Sequence, residues 1–151
     1  MINAKIIYRI IGTLLYIEAA LLLLCALFPL CYQEDDLYGF LYSVAITAVA
    51  GTLLLFLGKG ADKHTNRKDG YVIVSISWVI FSLFGMLPFY ISGYIPNITN
   101  AFFETMSGFT TTGATILDDI ESLSHGMLFW RSLTQWIGGL GIVFFTIAIL
   151  P

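Results

Sequence analysis

Pro96-Asn97-Ile98-Thr99-Asn100-Ala101-Phe102-Phe103-Glu104-Thr105-Met106-Ser107-Gly108-Phe109-Thr110-Thr111-Thr112-Gly113-Ala114-Thr115 is the stretch on which the fold turns. Its first part is as apolar as a core helix. At about 10 to 14 residues it is too short to span a bilayer and suits a re-entrant or interfacial helix. Pro96 should end the helix before it, Thr99 or Asn100 should cap it, and Gly108 should supply a left-handed turn at its end. The return, Thr110 to Thr115, reads as extended backbone, because threonine loses rotamer freedom in a helix and glycine permits conformations other residues avoid. Extended backbone at membrane depth is tolerated only where protein buries it or where it lines a water-filled path. A short helix aiming its C-terminus inward, followed by carbonyls without donors, makes a site for a cation. Asp118, Asp119 and Glu121 at the exit would raise the local cation concentration.

The flanking sequence supplies the membrane. The 151 residues are 58% hydrophobic and 11% charged, with a mean hydropathy of +0.85. Ordinary soluble domains carry about 25% charged residues, so a soluble globule is excluded. Four runs are long enough to cross: Ile10–Leu30 with one charge (Glu18), Leu37–Gly58 with none, Tyr71–Ile95 with none, and Met127–Pro151 with Arg131 near its start. Pro88 predicts a kink in the third. The first run is too long for a signal-peptide core and lacks a small-residue cleavage site, so it reads as a retained anchor. Lys5 and Arg9 precede the first run, and Lys59, Lys63, Arg67 and Lys68 separate the second and third, while Cys31 to Asp36 holds three acids and no base. Basic residues stay in the cytoplasm, which predicts a cytoplasmic N-terminus and places residues 96–126 on the outer side. The net charge of −3 lacks any basic run, so nucleic acid is not an expected partner. Cys25 and Cys31 define neither a disulfide framework nor a zinc site.

The chain therefore reads as an all-α polytopic membrane protein. Residues 1–58 form a transmembrane helix pair and residues 59–70 a cytoplasmic loop. Residues 71–151 form a unit of helix 71–95, short helix 99–109, extended segment 110–115 and helix 127–151.

Helix, short helix, Thr-Thr-Gly strand and helix is the arrangement of potassium channels. The wording Ala101-Phe102-Phe103-Glu104, Ser107 to Thr115, His125-Gly126 and Phe129-Trp130-Arg131-Ser132-Leu133-Thr134-Gln135-Trp136-Ile137-Gly138-Gly139-Leu140-Gly141 resembles the first pore repeat of the bacterial TrkH family, within the TrkH/KtrB/HKT superfamily of potassium-uptake proteins. The likeness is most specific over residues 96–151, and the leading helix pair also fits the family. The resemblance implies that 99–109 is a pore helix and 110–115 a selectivity filter, with potassium as the transported ion held by the backbone carbonyls of Thr111, Thr112, Gly113 and Ala114. No catalytic set and no cofactor are expected. It further implies a multi-pass protein of the bacterial inner membrane and a homodimer. A cytoplasmic nucleotide-binding regulatory subunit, TrkA, would gate it. A family member holds four repeats in one polypeptide and this sequence holds one, so the expectation is a fragment of a longer protein, whose remaining repeats complete the ring, or four copies around an axis.

Other residues carry plainer expectations. Glu104 should shape the site, and Arg131 should bond to pore-helix carbonyls or to Glu104. Gly138, Gly139 and Gly141 should let the last helix pack closely. Glu18 should make a hydrogen bond inside the bundle or serve dimer packing, His64 and His125 should be solvated, and the tryptophans and tyrosines should mostly sit at the interfaces. The competing functions are a membrane hydrolase on Ser107 with His125, which lacks an intramembrane third group, and a non-transporting scaffold, which leaves the threonine strand without a purpose.

Overall fold

The computed structural model describes residues 4–60 and 67–149, and among them the regular structure is entirely helical. His64 and Lys63 of the basic loop lie outside the described residues, as does the end of the last run at Leu150 and Pro151. Helix α1 covers Ala4–Cys25 and a short α2 follows at Leu27–Tyr32. α3 covers Leu37–Leu57, α4 Arg67–Gly85, α5 Leu87–Ile91, α6 Ile98–Phe109 and α7 His125–Ile149. Three stretches are long and apolar enough to cross a membrane among the described residues: Ala4–Tyr32, Leu37–Leu57 and Gly70–Ile91.

Two prolines divide these stretches by one mechanism. A proline ring clashes with the carbonyl four residues back and removes a donor. Pro88 does this at Phe84, and the helix breaks between Gly85 and Leu87, at the kink expected from sequence. Pro29 does it at Cys25, and a second break at Ala26 separates α1 from α2. The third stretch stops at Ile91 rather than at Ile95, because Ser92 closes it and Gly93 turns the chain with φ of 80°. Pro96 lies beyond that stop.

α1 and α3 form a close antiparallel pair. A Cβ on Gly12 would meet the Gly51 carbonyl at 2.9 Å, so the two backbones approach as only small residues allow. Gly58 packs likewise against the Arg9 backbone. Lys5, Arg9 and Lys59 therefore share one end of the bundle, and Glu34, Asp35 and Asp36 occupy the other. The main core gathers Leu22, Phe40, Phe89, Phe109, Met127 and Trp130 from five helices. Trp130 is not interfacial. It is fully buried, its indole Nε1 donates to the Gly85 carbonyl at 2.8 Å, and its ring meets Phe109 edge-on. The break before Pro88 frees that carbonyl, and the indole satisfies it.

Candidate ion-coordinating loop

α6 starts on Asn97, whose side chain accepts from the Thr99 amide at 2.9 Å and the Asn100 amide at 3.3 Å. The cap is thus Asn97, two or three residues before the expected Thr99 or Asn100, and it satisfies amides that a helix start leaves without partners. α6 then descends along α7. A Cβ on Gly138 would fall inside the Phe109 backbone carbonyl, and one on Gly108 would overlap the Thr134 hydroxyl. Gly141 packs on Trp78, while Gly139 faces open space. Gly138 lies thirteen residues past the start of α7, about 20 Å along its axis at 1.5 Å per residue. The C-terminus of α6 is therefore deep in the bundle.

Gly108 serves this contact and does not make the turn. The left-handed residue is Thr111, with φ of 55°. The Thr111 amide donates to the Gly108 carbonyl and the Thr112 amide to the Ser107 carbonyl, each at 3.0 Å. That pair of bonds is a Schellman closure, a motif that usually places glycine where Thr111 stands. A β-branched residue in this region is a backbone outlier held by its surroundings, costing on the order of 1–3 kcal/mol. Its consequence is chemical. The last carbonyls of α6 are largely consumed by Thr110, Thr111 and Thr112, so the helix end offers fewer open oxygens than the sequence suggests.

Open oxygens appear in the loop instead. Thr110 and Thr111 form the turn, and only from Thr112 onward does the chain run without regular structure. Gly113 has φ of 76° with nothing within 4 Å of a built Cβ. Among the described residues no hydrogen bond ends on the carbonyls of Thr111, Thr112 or Gly113. Ala114 differs, since its carbonyl accepts the Ser107 hydroxyl at 2.6 Å. All four residues are exposed on the surface of this chain. Thr110 and Thr112 join hydroxyls at 2.8 Å beside them.

A buried carboxylate fixes the return. Glu104, 3% exposed, accepts from the Thr115 hydroxyl at 2.9 Å, from the Ile116 amide at 3.0 Å and from Arg131 Nε at 2.8 Å. Arg131 stands six residues into α7, and this ion pair resolves the placement of a base in an apolar helix. The α6 side chain, the returning loop and α7 thereby meet at one carboxylate. Ser107 adds the second tie. Both ties hold the returning chain at Ala114 to Ile116, and the segment before them, Thr111 to Gly113, is left exposed.

At the acidic end the chain is clamped to α7. Asp36 accepts a short hydrogen bond from the Ser124 hydroxyl. Glu34 accepts from the His125 amide at 3.1 Å and pairs with its Nδ1 at 2.8 Å, while the imidazole stacks on Tyr32. His125 is therefore engaged rather than free in solvent, a contact that crosses 91 residues and had no local sequence signal. Burial raises the Glu34 carboxyl, but the hydrogen bonds and charge of His125 outweigh it and hold the group below its ordinary value.

Glu18 is interior, packed against Gly85, yet neither carboxylate oxygen has a hydrogen-bond partner among the described residues. The expected bundle-interior hydrogen bond is not found. The hydrolase reading loses its parts, because the Ser107 hydroxyl is spent on Ala114 and His125 is bonded to Glu34. No cluster of three metal-ligating side chains occurs among the described residues, and Cys25 and Cys31 are free thiols.

The family described as TrkH, a cation transport protein, matches residues 38–151. The Trk system potassium uptake protein TrkH of Halomonas elongata is 35% identical over 99% of this chain and 31% of its own length. The protein of the same name from Escherichia coli strain K12 is 36% identical over 97% of this chain and 31% of its own length. The crystal structure of the potassium transporter TrkH from Vibrio parahaemolyticus superposes with a TM-score of 0.89 at 35% identity, covering 97% of this chain and 32% of that one. The chain thus spans about a third of the length of the relatives it matches.

Proposed function

The chain belongs to the TrkH family of cation transport proteins, and on that premise we propose that it forms one pore repeat of a potassium-uptake protein. The observation that carries this reading is the loop of Thr111, Thr112 and Gly113. Their carbonyls lack partners among the described residues, and the chain that follows them is tied down by Ser107 at Ala114 and by Glu104 at Thr115 and Ile116. Carbonyls in that state can replace the hydration shell of a potassium ion, and their exposure on this chain leaves a face for equivalent strands to complete a ring. Ala114 would contribute less than the other three, since its carbonyl already accepts a hydroxyl. Thr111, Thr112, Gly113 and Ala114 together remain the proposed filter.

The finer architecture follows from the same reading. α1, α3, α4 with α5, and α7 span the inner membrane, and α6 is re-entrant. Lys5, Arg9 and Lys59 face the cytoplasm, so the loop opens to the outside. The resemblance also carries a homodimer and a cytoplasmic TrkA subunit. The membrane potential drives cation entry at about 2.3 kcal/mol per charge per 100 mV, and no covalent step is involved. The test is isotope uptake by proteoliposomes of the full-length protein at an imposed inside-negative potential. Potassium should accumulate well ahead of sodium, and equal rates would overturn the assignment.

A further inference from the structure

A Cβ built on Gly113, whose φ is 76°, would have no atom of the described residues within 4 Å, so side-chain packing does not set the shape of the loop there. Hydrogen bonds at its flanks do, and one residue makes them on both sides. The Ser107 carbonyl accepts the Thr112 amide at 3.0 Å, and the Ser107 hydroxyl donates to the Ala114 carbonyl at 2.6 Å. Ser107 thus bridges Thr112 and Ala114 across the glycine.

The second of these bonds departs from what helical hydroxyls do elsewhere in the chain. Ser43, Thr47, Ser77, Ser82, Thr105 and Ser132 each donate to the carbonyl four residues back, the local partner a helix offers a hydroxyl. Ser107 also lies within a helix, α6, yet its hydroxyl leaves that helix and reaches seven residues forward. Its backbone is fixed, since Gly108 beside it abuts the Thr134 hydroxyl and Gly138 abuts the Phe109 carbonyl. Ser107 is 5% exposed, so the bond lies on the protected side of the loop. Thr112 is held a second time through its hydroxyl, which joins that of Thr110, and Glu104 holds Thr115 and Ile116. The Ala114 carbonyl accepts no other hydrogen bond among the described residues. Its direction therefore depends on one hydroxyl.

We propose that Ser107 is a positioning residue for cation discrimination. Its hydroxyl turns the Ala114 carbonyl away from the ion path and toward α6, so that this repeat coordinates through Thr111, Thr112 and Gly113 in a fixed arch. The inference rests on the loop being the filter. A ring of carbonyls separates potassium from sodium only while its oxygens keep a set number or spacing. An Ala114 carbonyl released from Ser107 becomes a mobile ligand that closes on the smaller ion as readily as on the larger.

The experiment compares potassium and sodium uptake by the full-length protein with that of Ser107→Ala, Ser107→Cys and Ser107→Thr, the yield of folded protein being measured alongside. The series separates donor from volume, because cysteine is close to serine in size but donates weakly, while threonine keeps the hydroxyl and adds a methyl. Ser107→Ala and Ser107→Cys should each lower the preference for potassium over sodium roughly tenfold, the order of one lost hydrogen bond. Folded yield should stay near that of the unsubstituted protein, since Glu104 still holds Thr115 and Ile116. Ser107→Thr should restore most of the preference, and if it does not fold, the alanine and cysteine variants decide alone. A serine needed only for packing would follow volume, leaving Ser107→Cys fully selective. That result overturns the proposal, as does an undiminished preference in whatever Ser107→Ala protein survives. An unsubstituted protein that takes up both cations equally refutes the filter reading, and this proposal with it. A selective protein whose Ser107→Ala variant is equally selective refutes the role of Ser107 alone.

Discussion

Glu104→Ala should destabilise the protein chiefly through the residue it strands. Glu104 is buried and gathers three donors, from Thr115, Ile116 and Arg131. The side chain of Arg131 is 16% exposed, so it cannot recover its hydration in place. Removing one partner of such a pair costs about 3–5 kcal/mol, most of it from the uncompensated charge. Replacing both partners by apolar groups costs far less, because no charge is left behind. The Thr115 hydroxyl and Ile116 amide then lose only hydrogen bonds to a charged acceptor, about 1.5–3 kcal/mol each at most. The prediction is a strongly non-additive cycle: Glu104→Ala and Arg131→Leu each severe, their combination milder than Glu104→Ala alone. Denaturant titration of the full-length protein, followed by tryptophan fluorescence, measures the four corners. Cation selectivity separates the roles, since the double variant should fold and still discriminate poorly, its loop no longer anchored at Thr115 and Ile116. Additive single effects, or a fully selective double variant, would refute the argument that this carboxylate positions the loop.

Three further outcomes follow from particular contacts. Gly138→Ala drives a methyl into the Phe109 carbonyl and should cost about 1–3 kcal/mol and lower the yield of folded protein, whereas Gly139→Ala, facing open space, should be neutral in the same denaturation assay. Glu34 has a carboxyl held below its ordinary value of about 4.5, so its contribution is present above that pH and is lost as pH falls through the depressed value; hydrogen exchange at the His125 amide should rise only in that acid range, and His125→Ala should abolish the transition. With exposed Cys31 first replaced by serine, a single cysteine at Glu121 should react with an impermeant thiol reagent from outside and one at Asn66 should not, the reverse pattern inverting the topology.

Much of the scaffold was legible because its causes are local. Pro88 broke its helix as a proline must, and the same rule applied to Pro29 would have found the break at Ala26. The pairing of Arg131 with Glu104 was also foreseeable, since a base one turn into an apolar helix needs a partner and the short helix offers one acid. What was hidden depended on three-dimensional proximity or on rare backbone. Nothing in a threonine run marks Thr111 as the residue that turns left-handed, because glycine is the usual occupant and Gly108 stands three residues earlier. Trp130 reads as an interfacial aromatic until the freed Gly85 carbonyl, 45 residues away, supplies its partner. The clamp of Glu34 on His125 and the tie of Ser107 to Ala114 are equally invisible to periodicity.

The central claim is that Thr111 to Gly113 coordinate a cation through their carbonyls, and Gly113→Ser tests it most directly. With φ of 76° and no atom within 4 Å of a new Cβ, the substitution collides with nothing and acts only by disfavouring the backbone conformation, on the order of 1 kcal/mol. Cation uptake by the full-length variant, with membrane expression measured in parallel, should show a reduced preference for potassium over sodium at near-normal expression. Unchanged potassium preference at normal expression would contradict the account and remove this loop as the filter.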